Sequence, residues 1–407
     1  MYYPICTGAG IDEDLFPYMR LFIGPPIRSI ELAARYLDTA NQSLLFKLVP
    51  IKETLETLRL CGSLEDFEIQ GVLEKIVPDL RSLTEYVCDG IGPPSKGHVT
   101  ALSRLPALRV LTLNADCGHR SVSPWHLPQI LTVTNDVTPF AALRELSLQD
   151  CSLSSLTLLL GSLQNSRLAS ISLSSPWVPD FENYPEHLVA FLSTLAKSCS
   201  KLLHSLSIGN HDFPGDLDFP NALPAAQIRD IIQQILPFRK LKVIRINLPY
   251  LFTIEDSLID KLPEAWPELA WLDISPQNSV ARRPNPPPLA TLAGLVALTR
   301  FPKLHMACLN VDAREMKYST VKEKFNIPTS NINHLNLDHS LLDDPVDFAQ
   351  CLTECFPNLE KLDLWSEEEE CPKVIGYTAE DVLRYRAMVD EVKRLIVGPP
   401  GGSRAIS

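Results

Sequence analysis

Residues that could carry chemistry gather at a few places in this 407-residue chain. Cys351 and Cys355 lie four apart in VDFAQCLTECF (346–356), a spacing that puts both thiols on one side of a helix, where Cys371 or a histidine could complete a zinc site. Both fall on the apolar side of that segment, so core packing is the expected role. HDFPGDLD (211–218) collects His211, Asp212, Asp216 and Asp218, a set suited to a hard cation. A short D-x-D match describes a polar surface loop equally well, and that reading is adopted. CGHRS (117–121) brings Cys117, His119 and Ser121 together, but a nucleophile needs a base held in place beside it, and nothing nearby does this. G-x-S-x-G is absent. GIGPPSKGH (90–98) lacks the G-x-x-x-x-G-K-[ST] spacing, and its prolines remove amides that a phosphate would need. The expectation is no enzyme, no metal ligand and no cofactor. The alternative is a hydrolase or metal-dependent enzyme on the same scaffold, which requires His211 or the cysteines to converge with other polar groups in a deep pocket.

The elements that would position any site repeat along the chain. LPALRVLTLN (105–114), FAALRELSLQ (140–149), WPELAWLDIS (266–275) and FPNLEKLDLW (356–365) share the frame L-x-x-L-x-L and differ mainly in the polar letters. The middle apolar residue of the frame falls at Ile30, Leu58, Leu83, Leu111, Leu146, Ile171, Leu206, Ile244, Leu272, Ala307, Leu335 and Leu362, with Leu83 and Ala307 the weakest copies. The mean spacing is about 30 residues, close to a leucine-rich repeat. Within each frame the period is 2, as for a short strand with one buried face. Between frames, DFEIQGVLEKIV (66–77), HLVAFLSTLAKSC (187–199) and VDFAQCLTECF (346–356) switch to helical spacing. One strand and one helix cannot bury their apolar faces alone, whereas a stack of such units can. The expected fold is therefore an α/β leucine-rich-repeat solenoid, a curved horseshoe with parallel strands on the concave face and helices outside. It spans residues 1–365 in about twelve degenerate repeats. A doubly wound α/β domain also alternates strand and helix, but has no reason to repeat this frame. SPQNSVARRPNPPP (275–288) reads as a proline-rich loop, 366–377 as an acidic connector, 378–397 as an amphipathic helix capping the stack, and 398–407 as a disordered tail.

Composition narrows the partners. The formal net charge is −12, which repels phosphate backbones and anionic lipid, so neither nucleic acid nor membrane is expected. No apolar run reaches the length of a membrane span, and the first residues lack the basic flank and apolar core of a signal peptide. The ten cysteines include no C-x-x-C. Free thiols in the cytoplasm or nucleus are expected.

PYMRLFIGPPIRSIEL (17–32), LPEAWPELAWLDIS (262–275) followed by LATLAGLVALTRFPKL (289–304), and CFPNLEKLDLW (355–365) resemble the leucine-rich-repeat region of F-box proteins from basidiomycete fungi. The resemblance covers most of the chain and rests mainly on structural leucines. It implies a protein-binding module, the substrate-recognition part of a cullin-type ubiquitin ligase. In that family an N-terminal F-box docks the ligase adaptor and the repeats hold the substrate. The stretch DEDLFPYMR leads straight into the first repeat without a leucine-proline start, so the adaptor is a partner only where an F-box is supplied upstream.

In L-x-x-L-x-L the interleaved residues project from the concave sheet. The middle repeats present mostly small hydroxyls there, such as Ser170, Ser172, Ser205 and Ser207. Towards the C-terminus the face gains two tryptophans among carboxylates. Trp271, Asp273, Ser275, Asn310, His334, Asn336, Asp338, Lys361, Asp363 and Trp365 form the expected partner-binding patch, since aromatic anchors rimmed by charge are typical of protein-binding hot spots. The carboxylates would suit a basic segment.

Overall fold

The computed structural model describes residues 2–6, 26–33, 46–64, 67–91, 94–114, 139–149, 151, 153–163, 167–174, 184–199, 202–209, 223–248, 254–274, 288–314, 317–324, 328, 330–337, 340–364 and 379–397. The chain divides into two compact units, Met1–Leu203 and His204–Ser407. Both are leucine-rich-repeat solenoids, with parallel strands in sequence order and helices between them.

The described strands of the first unit are β1 (Tyr2–Cys6), β2 (Ser29–Ala33), β3 (Thr57–Leu64), β4 (Glu85–Ile91), β5 (Val110–Asn114), β6 (Glu145–Gln149) and β7 (Ser170–Ser174). Those of the second are β8 (Ser205–Gly209), β9 (Val243–Asn247), β10 (Trp271–Ile274), β11 (Met306–Leu309), β12 (His334–Asn336) and β13 (Lys361–Asp363). Residues in the middle of the frame stack in register: Leu111 on Leu146 and Leu146 on Ile171, then Ile244, Leu272, Ala307, Leu335 and Leu362. Burial alternates along the strands, with Leu111 and Leu113 buried and Val110, Thr112 and Asn114 partly exposed.

The weak copy at Ala307 is a true strand position, but the one at Leu83 is displaced. Tyr86, not Leu83, pairs with Leu58 and Leu111. The pair Leu80 and Leu83 mimics the start of the frame. The working letters are Leu83, Tyr86 and Cys88, all buried. β1 is a further strand that the leucine frame does not mark.

At the entries to β3–β7 and β9–β13, two consecutive amides donate to one carbonyl of the preceding repeat. Arg144 and Glu145 donate to the Arg109 carbonyl at 2.8 and 2.9 Å, and Ala270 and Trp271 donate to Lys242 at 2.8 and 3.0 Å. This contact fixes the parallel register. Ahead of it sits an aromatic residue at the turn from helix to strand: Phe140, Phe238, Trp266, Phe301 and Phe356, each at most 1% exposed. In four of these turns the aromatic carbonyl accepts from the first leucine of the frame, for example Leu269 N–H to Trp266 at 3.1 Å.

Carboxylates tie neighbouring helices together at their N-termini, where backbone donors lack partners of their own. Asp256 accepts from the Thr291 amide at 2.7 Å and from its hydroxyl at 2.6 Å, and Thr291 Oγ1 then accepts from Ala293 N–H at 3.1 Å. Asp347 accepts from the Tyr318 amide at 2.6 Å. A Cβ on Gly294 would collide with the Asp256 carboxylate and with Ile259, whereas one on Gly71 would meet nothing within 4 Å. In urea unfolding, Gly294→Ala is therefore expected to lose about 1–3 kcal/mol through overpacking. Gly71→Ala is expected to gain about 0.5–1 kcal/mol from helix propensity. A gain at both positions would remove the helix-to-helix contact from this account.

The helix Ala379–Val397 buries Tyr385, Val389, Val392 and Ile396, and the Tyr385 hydroxyl donates to the Ser340 carbonyl at 2.6 Å. Among the described residues, no helix is long and apolar enough to cross a membrane.

Candidate functional site

Strand register arranges the open sheet face of the second unit in rows. One row runs Val243, Trp271, Met306, His334, Lys361; the next runs Arg245, Asp273, Cys308, Asn336, Asp363. Adjacent members are about 4.8 Å apart along the row. Asn247 ends β9, and Asn310 follows the end of β11. Of the residues expected here, Trp271, Asp273, His334, Asn336, Lys361 and Asp363 lie on the open face. Ser275, Asp338 and Trp365 lie outside the described residues. Asn310 is only 6% exposed and its neighbour Cys308 only 3%, so the floor of this face is buried at these positions.

The charged groups are already partly engaged. Asp363 Oδ2 lies 2.8 Å from His334 Nε2 and 3.3 Å from Lys361 Nζ. Asp273 Oδ2 accepts from Asn247 Nδ2 at 3.5 Å. Arg245 stacks its guanidinium over the Trp271 ring, 4.2 Å from the centroid, a cation–π contact. Alternation marks Arg245 as an open-face residue. This stacking joins it to the tryptophan of the next repeat. Burial, together with Asp273 and Asp363, pushes the Cys308 thiol up to about 12, so it is a neutral group between the two acids. Four buried polar atoms on these three repeats have no hydrogen-bond partner: Arg245 Nε, Asn247 Oδ1, Trp271 Nε1 and Asn310 Nδ2.

In the first unit, two open-face pairs join neighbouring strands. Arg59 donates to Glu85 at 2.7 Å and Asn114 to Asp89 at 2.7 Å.

Cys351 and Cys355 are both fully buried, and the Cys355 thiol lies 3.6 Å from the Tyr318 hydroxyl. The hydrogen bond to Cys355 and then burial hold the Cys351 thiol well above its ordinary value. No group of three or more possible ligands occurs among the described residues. The segments 117–121 and 211–218, and Cys371, lie outside them.

No family model matches this chain, and no curated protein matches it. Among solved structures it is similar to the one described as "Crystal structure of Rad7 and Elc1 complex in yeast". That likeness covers 90% of this chain and 78% of the other at 15% identity, with a TM-score of 0.47, and it carries no argument about partner or activity.

Proposed function

We propose that the chain is a non-enzymatic protein-interaction module whose second unit holds a segment of a protein partner on its open sheet face. The reading is carried by Trp271, a partly exposed aromatic with Arg245 stacked on it, on the same open face as Asp273, His334, Lys361 and Asp363. Tryptophan and arginine are, with tyrosine, the residues most enriched in binding hot spots. Ser275, Asn310, Asn336, Asp338 and Trp365 complete the patch. By its resemblance to F-box proteins, the module serves as the substrate-recognition part of a cullin-type ubiquitin ligase, with the adaptor bound through an F-box supplied upstream. This role places it in the cytoplasm or nucleus, a reading that suits the free thiols found at seven described cysteines.

A pull-down from fungal lysate tests the reading, with wild type beside Trp271→Ala, whose fold is checked by its melting curve. The expected result is a partner that binds wild type and is at least tenfold weaker on the variant, the effect of losing a central hot spot. A cullin adaptor among the wild-type partners would support the ligase assignment. Identical partners for both baits would remove the open face from the function.

A further inference from the structure

Arg245 makes no ion pair among the described residues, while both described acids of its row are engaged, Asp273 by Asn247 and Asp363 by His334 and Lys361. Its Nε is buried without an acceptor, and so is the indole N–H of the tryptophan on which it stacks. Buried donors are almost always paired, so two at one stack call for an acceptor from outside the chain. The acceptor that best matches a guanidinium fork is a carboxylate, which takes two parallel hydrogen bonds. A phosphate site gathers several cationic groups, and Arg245 stands alone on its strand between Val243 and Asn247.

Asn247 and Asn310 add a second feature. The Asp273 carboxylate acts only as an acceptor, which fixes Nδ2 of Asn247 as the donor and leaves its buried Oδ1 unused. Asn310, more than nine-tenths buried, keeps an unused donor at Nδ2. One residue therefore offers an acceptor and the other a donor, the complement of a peptide N–H and C=O. They lie two strands apart, about 10 Å, the reach of about three extended residues.

We infer that the ligand of this face is an extended acidic peptide segment of the partner protein: its Asp or Glu carboxylate pairs with Arg245 on Trp271, and Asn247 and Asn310 hold its backbone. The inference rests on the proposed role of this face and gives the partner its chemistry. It also reverses the polarity that the carboxylates alone suggest, because those carboxylates have partners and the guanidinium has none among the described residues.

The test is selection of displayed random 12-residue peptides against the full chain, followed by titration of the best synthetic peptide. Enriched sequences should carry Asp or Glu at one fixed position. Changing that residue to its amide should weaken binding at least tenfold, as should Arg245→Met, which keeps the stem packed on Trp271 and removes the charge. Arg245→Glu should shift the preference at that position to Lys or Arg. Asn310→Ser should weaken acidic and amide peptides alike. Melting curves of all variants control for folding. Peptides that bind without an acid and are lost on Trp271→Ala would overturn the acidic ligand and leave the open face as the binding surface. Peptides indifferent to Trp271→Ala and Arg245→Met alike would overturn both. No enrichment from the library would overturn the inference, leaving the interaction reading to the pull-down.

Discussion

Replacing Trp266 with alanine is expected to cost about 3–5 kcal/mol in urea unfolding, the range for removing a large aromatic from a packed core. The side chain is fully buried, and its Nε1–H donates to the Ile235 carbonyl at 3.4 Å. Its backbone closes the turn into β10, with the amide bonded to Leu262 O at 2.9 Å and the carbonyl accepting from Leu269 N–H at 3.1 Å. Alanine would leave a cavity between two repeats and remove the indole hydrogen bond to the Ile235 carbonyl, which would keep only the Phe238 amide, at 3.0 Å. Repeat proteins contact only their neighbours, so the loss should fall on the second unit, the one that carries Trp271. Trp266→Phe is the informative companion. Phe238 and Phe301 fill the same turn position in the two adjacent repeats and Phe356 in a later one, so phenylalanine fits the architecture and should cost only about 1–2 kcal/mol. Equal losses for the two variants would mean that the indole hydrogen bond, rather than aromatic volume, holds this turn.

The fold was legible because leucine-rich strands repeat their burial rule in letters. Leu111 and Leu113 point inward, Val110 and Thr112 do not, and the same alternation recurs wherever the frame does. The frame misled at Leu83 because Leu80 and Leu83 carry its spacing and Tyr86 does not look like a leucine, yet a buried aromatic satisfies the same inward position. The open-face residues were legible for the same reason: a residue between two inward leucines has one direction left. What the letters did not carry is the pairing between repeats. Arg245 and Trp271 are separated along the chain by a whole repeat, and so are His334 and Asp363. Whether such side chains meet depends on rotamers and on burial of the face. Cys308 and Asn310 show the same limit, since alternation assigns them to the open side and only packing shows that they are buried there.

Between pH 6.5 and 4 the protein is expected to lose about 3 kcal/mol of stability through His98 alone, the cost of a pKa depression of this size. His98 is completely buried against Tyr86, with Nε2 3.0 Å from the tyrosine hydroxyl and the rings edge to face at 87°. Burial lowers its pKa from 6.5 to about 4, and burial also holds the Tyr86 hydroxyl well above its ordinary value, so the pair is neutral in the folded state. The unfolded chain binds a proton at His98 near pH 6.5 and the folded chain does not until about pH 4. The unfolded state therefore gains protons first as pH falls. The stabilisation is whole above pH 6.5 and gone below about 4. Carboxylates such as Glu268, held below its ordinary value by Lys303, lose their contribution only further down, which leaves the upper part of the window to His98. His98→Gln supplies a neutral side chain that can still meet the Tyr86 hydroxyl. Urea midpoints at half-unit steps from pH 7 to 5 should decline for wild type and stay nearly level for this variant. Parallel declines would show that His98 takes up its proton within the folded chain, and a buried neutral pair could not then be what holds β4 against the helix Lys96–Ser103.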